Sequence, residues 1–145
     1  MRTDLETNNG DFLGANLLLF VGDRLAVILR DDKSDIPWPG YWDFPGGLRE
    51  SGETPQDCVC RETEEELTIR LQPEDLSWSR LIQRHDRGQE WLFAAHLNAS
   101  RAAEMALGDE GQDWALWLPQ VFLTHPRAIP HFKARLQGYL DQLPR

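Results

Sequence analysis

The stretch Cys60–Leu67, CRETEEEL, places Glu62, Glu64, Glu65 and Glu66 within five consecutive positions. The residues ahead of it predict a helix over Thr54–Leu67. Thr54 suits the N-cap, Pro55 the first helical position and Asp57 the reciprocal capping position. Successive helical residues advance by about 100°. With Glu62 at zero, Glu65 falls near −60° and Glu66 near +40°, so these three carboxylates share one face about 100° wide. Glu64 points the other way. Val59, Cys60, Thr63 and Leu67 form the adjacent stripe, which can pack on a core. Like charges three and four residues apart on a helix repel by roughly 0.2–0.5 kcal/mol per pair. Such a helix either presents a solvated acidic face or holds a divalent cation. Hard cations such as Mg²⁺ take oxygen ligands, typically a few carboxylates and the phosphates of a substrate. A cation offsets the repulsion and keeps the carboxylates ionised against their mutual upward push on pKa.

The surrounding chain gives this helix a sheet to pack on. ANLLLF and RLAVILR are apolar runs joined at VGDR, where Gly22 and Asp23 favour a turn, so they predict a strand pair. DDKSDIPWPGYW reads as a loop and DFPGG as a strand tip running into two glycines. SWSRLIQR and EWLFAAH flank HDRGQ as a second antiparallel hairpin, and DWALWL is a further strand. From about Pro130, the residues Phe132, Leu136, Tyr139, Leu140 and Leu143 recur at helical spacing. Strands interleaved with two main helices predict an α/β or α+β domain of about three layers, spanning residues 1–145 as one unit.

Charge and cysteine content narrow the function classes. The net charge of −9 disfavours nucleic-acid polymers and anionic membranes as general partners. A small phosphorylated substrate stays open, because bound cations invert the local charge. The N-terminus MRTDLETNNGDF lacks a basic-then-apolar signal pattern, and the apolar run around LLLF is far shorter than the roughly 20 residues of a membrane span. Cys58 and Cys60 form an isolated C-x-C without the second pair of a structural zinc site, and read as reduced helix residues in a cytoplasmic protein. His85, His96, His125 and His131 show no metal-ligand spacing.

Upstream of the carboxylate face lies GGLRESGE, whose glycines allow backbone to approach a ligand closely. The full string GGLRESGETPQDCVCRETEEELTI resembles the Nudix box. That pattern is glycine, five residues, glutamate, seven residues, Arg-Glu, an apolar residue, any residue, Glu-Glu, any residue, glycine and an apolar residue. Gly47, Glu53, Arg61, Glu62, Glu65, Glu66 and Ile69 match it. Two positions depart: Thr63 replaces an aliphatic residue, its hydroxyl expected to bond back to a helical carbonyl, and Thr68 replaces the closing glycine. A β-branched residue is unfavourable in the left-handed conformation a glycine would adopt there. The box spans residues 47–69. More weakly, WPGYWDFPGG resembles the segment that leads into it, and DEGQDWALWL resembles a later EGQ segment whose glutamate, Glu110 here, supplies a further ligand or the base.

The resemblance implies an α/β/α sandwich with a mixed sheet and a Mg²⁺-dependent hydrolase, with Mn²⁺ able to substitute, that cleaves a nucleoside diphosphate linked to another group. It implies Glu62, Glu65, Glu66 and Glu110 as metal ligands, with the Gly47 carbonyl as a backbone ligand. Arg61 would orient Glu62 and pair with Glu53. Glu65, Glu110 and Glu53 are all candidates for the general base. Arg30, at the end of the second strand, is a candidate phosphate contact, and Trp38 and Trp42 (with Tyr41) are candidates for stacking on a base.

Substrate choice is less defined. Residues 83–89, QRHDRGQ, hold neither the Tyr of the dinucleoside polyphosphate branch nor the Pro of the ADP-ribose branch. The layout looks more like the MutT-type nucleoside triphosphate pyrophosphohydrolases, but THPRAIPHF lacks the Asn that oxidised-guanine-selective relatives use. A non-catalytic nucleotide sensor is the main alternative, and the intact box argues against it. An isopentenyl-diphosphate isomerase relative would need a Cys outside the box, and both cysteines lie within it. A nucleotide is the expected partner of a monomer or homodimer.

Overall fold

A computed structural model describes residues 11–84 and 88–144. The polar N-terminal stretch up to residue 10, and His85 in the second hairpin, lie outside the described residues. The strands are β1 (Gly14–Val21), β2 (Arg24–Leu29), β3 (Trp42–Asp43), β4 (Gly46–Leu48), β5 (Leu76–Arg84), β6 (Gly88–Leu97) and β7 (Asp113–Trp117). The helices are α1 (Pro55–Leu67), α2 (Pro119–Thr124) and α3 (Pro130–Gln142). The short α2 is the one helix not read from the sequence.

The run LLLF is buried because β1 lies inside the sheet with both faces covered. Ala15, Leu17, Leu19 and Val21 face one core, which contains Cys58, Val59 and Leu67 of α1. Leu18 and Phe20 face the other, which contains Phe122 of α2 and Phe132, Leu136 and Tyr139 of α3. Each fully buried Val or Leu contributes about 1.5–3 kcal/mol relative to leaving it in water. Helices therefore sit on both faces, and the fold is an α/β/α sandwich.

Gly22, at φ 63°, turns the chain so that Val21 pairs with Arg24 in the antiparallel β1–β2 hairpin. On its other side β1 pairs in parallel with β6, from Ala15 opposite Trp91 to Val21 opposite Leu97. β5 runs antiparallel to β6. β2 pairs antiparallel with β3 and β7, and β4 pairs with the start of β1. The sheet is therefore mixed. Among the described residues, no helix is long and apolar enough to cross a membrane.

At the start of α1 the predicted Thr54 cap and the Pro55 at the first helical position are found, without the reciprocal bond from the Asp57 side chain. Thr54 Oγ1 accepts the Asp57 N–H at 3.1 Å. Two departures from the box pattern resolve differently. Thr63 is fully buried on the packed stripe, but its hydroxyl finds no partner, so the expected bond back to a helical carbonyl is absent. Thr68 takes the left-handed conformation of the missing glycine, at φ 61° and ψ 4°, and its N–H closes the helix on the Glu64 carbonyl at 2.9 Å. Its own hydroxyl offsets the strain by lying 2.6 Å from the Leu67 carbonyl and 2.9 Å from the Glu104 carbonyl.

Candidate active site

The carboxylate face of α1 opens on a cleft of ≈ 350 Å³ lined by Glu50, Arg61, Glu62, Glu65, Glu66, Asp109 and Glu110. Three elements supply it: α1, the loop after β4, and the segment before β7. Arg61 stands at its centre. Its Nε donates to Glu53 Oε2 at 2.6 Å and its Nη2 to Glu53 Oε1 at 3.1 Å, a two-pronged pair. Nη1 reaches Glu62 Oε2 at 3.3 Å and Glu65 at 3.2 Å, and lies 3.5 Å from Glu50. Nη2 also donates to the Leu48 carbonyl at 3.0 Å, which ties the loop to the helix.

Glu53 is thus occupied. Arg61 takes both its oxygens, the Glu50 N–H donates to Oε1 at 2.8 Å, and the hydrogen bonds from Arg61 hold its pKa below the usual carboxylate range. That engagement makes Glu53 an anchor for Arg61 and weakens its candidacy as the base. Glu65 is the opposite case: its side chain is 56% exposed at the cleft mouth, where it pairs with Arg61.

Glu66 is half-buried beneath them. One oxygen accepts the Gly46 N–H at 2.9 Å, yet burial pushes the carboxyl up to about 9, with Glu62, Asp43 and Glu110 adding to the push. Burial likewise raises Glu62, opposed by Arg61 and reinforced by Glu65 and Glu110. The appearance of Glu110 in both sets brings this sequence candidate into the same electrostatic field as the helix carboxylates.

Gly47 contributes by lacking a side chain. A Cβ there would lie 2.5 Å from the Glu62 carboxylate. Its carbonyl takes the Cys58 thiol at 3.7 Å, on the packed side of α1, and Gly47 is not among the residues lining the cleft. Burial raises the Cys58 thiol to about 12 and Cys60 to about 11, so both are inert neutral packing groups.

A second pocket of ≈ 170 Å³ adjoins the cleft, sharing Glu66 and Glu110 with it. Ile28, Arg30, Asp31, Lys33, Ile36, Asp43 and Phe44 complete most of its wall. Arg30 is here, as its place at the strand end suggests, but held: Nη1 donates to Asp43 Oδ2 at 2.9 Å and Nε to the Pro37 carbonyl at 2.9 Å. Asp43 is largely shielded from solvent, and desolvation raises its pKa despite Arg30. Trp38 and Trp42 line neither cavity. Trp42 packs its ring on Trp117 with centroids 4.5 Å apart, because pairing of β3 with β2 turns that side chain toward β7. Trp38 leans on Tyr41 at 5.1 Å. His96, His125 and His131 are ring-packing residues: His96 stacks on Phe20 and bonds the Tyr139 hydroxyl at 2.7 Å, His125 stacks on Trp117, and His131 packs on Phe132.

Sequence reasoning missed Glu50, Asp109, Asp31, Lys33 and Asp43. Glu50 and Asp109 each neighbour a box or EGQ residue, which was the one available signal. Asp31, Lys33 and Asp43 come together only when β2 and β3 pair.

Among the described residues, no three His, Cys, Asp or Glu side chains stand grouped to hold a metal ion as they are placed. The Arg61 guanidinium fills the space between Glu62 and Glu65 instead. The donor set nevertheless fits a hard divalent cation, being all carboxylate oxygen. The half-buried Glu66, with one backbone donor against three nearby carboxylates, is a group whose ionised form such a cation would stabilise.

The chain is thus an α/β/α sandwich in which one helix packs on the sheet by one side and turns its carboxylates onto a cleft. The chain belongs to the NUDIX domain family, whose model matches residues 12–136. Among solved structures it is similar to a MutT protein from Methanosarcina mazei (TM-score 0.74, 18% identity, covering 91% of this chain and 95% of that one). It is also similar to an Ap4A hydrolase from C. elegans (TM-score 0.68, 20% identity, covering 88% and 96%). At these identities the likeness is one of fold. A stretch of 30 residues is 50% identical to an 8-oxo-dGTP diphosphatase of Proteus vulgaris, spanning 21% of this chain and 27% of that relative.

Proposed function

We propose that the chain is a Mg²⁺-dependent pyrophosphohydrolase that cleaves a nucleoside triphosphate, or another nucleoside diphosphate linked to a leaving group, by attack of water at phosphorus. The observation that carries this is the convergence of six carboxylates on one cleft, with Glu66 half-buried at its base. Nothing in the cleft but Arg61 offsets their charge, and a phosphate chain would add more. Divalent ions supply that neutralisation and lower the pKa of an attacking water.

In this function Glu62, Glu65, Glu66 and Glu110 hold the ions. Arg61 keeps Glu62 and Glu65 pointed into the cleft, and Glu53 fixes Arg61. Glu65 and Glu110 are the two carboxylates free enough to take the water's proton. The adjoining pocket receives the rest of the nucleotide, with Arg30 and Lys33 facing its charge. The similarity to an 8-oxo-dGTP diphosphatase and to a MutT protein supports nucleoside triphosphates as the first class to examine.

The test is a hydrolysis panel with Mg²⁺, covering canonical and oxidised nucleotides, sugar nucleotides and dinucleoside polyphosphates, with products separated. A nucleoside monophosphate with pyrophosphate is expected from a triphosphate, and Glu66→Gln is expected to lower turnover by about 10² or more. Tight binding of a nucleotide without turnover of any panel member would mark the chain as a sensor instead.

A further inference from the structure

The end of α1 is joined to a distant segment. Three consecutive groups there accept or donate across the gap. The Leu67 carbonyl accepts the Ala106 N–H at 3.1 Å and the Glu66 carbonyl accepts the Gly108 N–H at 2.8 Å. The Thr68 hydroxyl lies 2.9 Å from the Glu104 carbonyl. Carbonyls in the last turn of a helix have no partner within it, so this segment serves as an external cap. Its far end is pinned as well. The Gln112 N–H donates to the Leu29 carbonyl and its Nε2 to the Arg30 carbonyl, both at 2.8 Å. Residues 104–112 are therefore a strap from α1 to the end of β2. Asp109 and Glu110 lie on the span between the pins, over the cleft.

Two residues pay sterically for that closeness. A Cβ on Gly108 would overlap the Glu65 carbonyl oxygen. Thr68 holds a left-handed conformation that a β-branched residue disfavours, and its hydroxyl returns the strap contact.

We infer that Thr68 and Gly108 are positioning residues for Glu110: they fasten the strap to the metal-bearing helix and so set where the Glu110 carboxylate stands relative to Glu62 and Glu66. This rests on the function proposed above. Thr68 occupies a position where the box pattern has glycine, so the hydroxyl is a fastening that a glycine cannot provide.

The test uses the full chain and the variants Thr68→Gly, Thr68→Ser and Gly108→Ala, alone and with Glu110→Gln. Glycine is at home at φ 61°, so Thr68→Gly does not fail through strain. Amide exchange at Ala106 and Gly108, measured without metal, is expected to quicken about threefold to tenfold in Thr68→Gly, the range one ordinary hydrogen bond controls. Thr68→Ser, which keeps the hydroxyl, should restore most of the protection. With Mg²⁺ and substrate, kcat should fall at least about threefold in Thr68→Gly, and up to about a hundredfold in Gly108→Ala, with KM little changed. In the Glu110→Gln background both effects on kcat should vanish, which a purely structural role would not produce. Unchanged exchange in Thr68→Gly, or full activity there while Glu110→Gln is slow, overturns the proposal. If Glu66→Gln and Glu110→Gln are both as active as the parent, the metal-hydrolase function fails instead, and the exchange rates alone decide whether the strap exists.

Discussion

Replacing Thr63 by valine should make the protein more stable. Thr63 is fully buried on the packed side of α1, and its Oγ1 has no hydrogen-bond partner. A hydroxyl moved from water into such a place without a partner costs about 1–3 kcal/mol. Valine has nearly the same shape, has nearly the same helix propensity, and puts a methyl where the hydroxyl stood. The whole penalty should therefore return as stability, about 1–3 kcal/mol. For a chain of this size each kcal/mol moves the melting temperature by about 2–4 °C, so a rise of roughly 3–10 °C is expected. Thermal unfolding followed by circular dichroism, with a urea titration for the m-value, measures it. Thr63→Ser keeps the hydroxyl and loses the methyl, so it should fall below the parent. Neither change touches the cleft, and turnover per folded molecule should hold. An unchanged or lower melting temperature in Thr63→Val at constant m-value would refute the reasoning, because it would mean that the hydroxyl is satisfied.

Glu66 predicts a pH signature in the metal-free protein. Unfolded, it ionises near 4.5; folded, burial keeps it protonated up to about 9. Between those values the native state holds a proton that the unfolded state has lost, so this group makes stability fall as pH rises, by about 1.4 kcal/mol per unit. Urea midpoints from pH 5 to 9 in a chelator should fall more steeply for the parent than for Glu66→Gln, and Mg²⁺ should flatten the difference. Gly47→Ala drives a Cβ to 2.5 Å from the Glu62 carboxylate; turnover should drop by about tenfold or more through displaced Glu62, with a steady-state assay as the check. Arg61→Lys keeps one charge but loses the planar fork that grips Glu53, Glu62 and Glu65. Its melting temperature in a chelator should fall by several degrees, about 1–3 kcal/mol, as thermal unfolding followed by circular dichroism measures.

Features governed by short-range spacing were legible in the sequence. The carboxylate face of α1, its Thr54 cap, the β1–β2 hairpin and α3 all follow from periodicity and turn residues within a few positions. Arg61 and Glu53 could be paired because eight residues of loop and helix bring them to one side. Features set by distant partners were not legible. Nothing local tells that β1 runs parallel to β6, since a buried run such as LLLF suits either neighbour. Trp42 reads as an exposed loop aromatic until β3 pairs with β2 and turns its ring onto Trp117. Asp43 reads only as the first residue of the DFPGG strand tip until Arg30 is beside it. The missing partner of the Thr63 hydroxyl likewise depends on how α1 packs, which spacing along the chain does not record.

The guanidinium of Arg61, lodged among Glu50, Glu53, Glu62 and Glu65, acts as a resident counterion. The acidic centre is thereby part-neutralised by the polypeptide itself. For the ions proposed above, loading would be an exchange in which the incoming cation competes with a tethered one for the same oxygens. Such a competition would loosen the grip on the metal while leaving its ligands already gathered, an arrangement suited to ions that arrive and depart together with a phosphate chain.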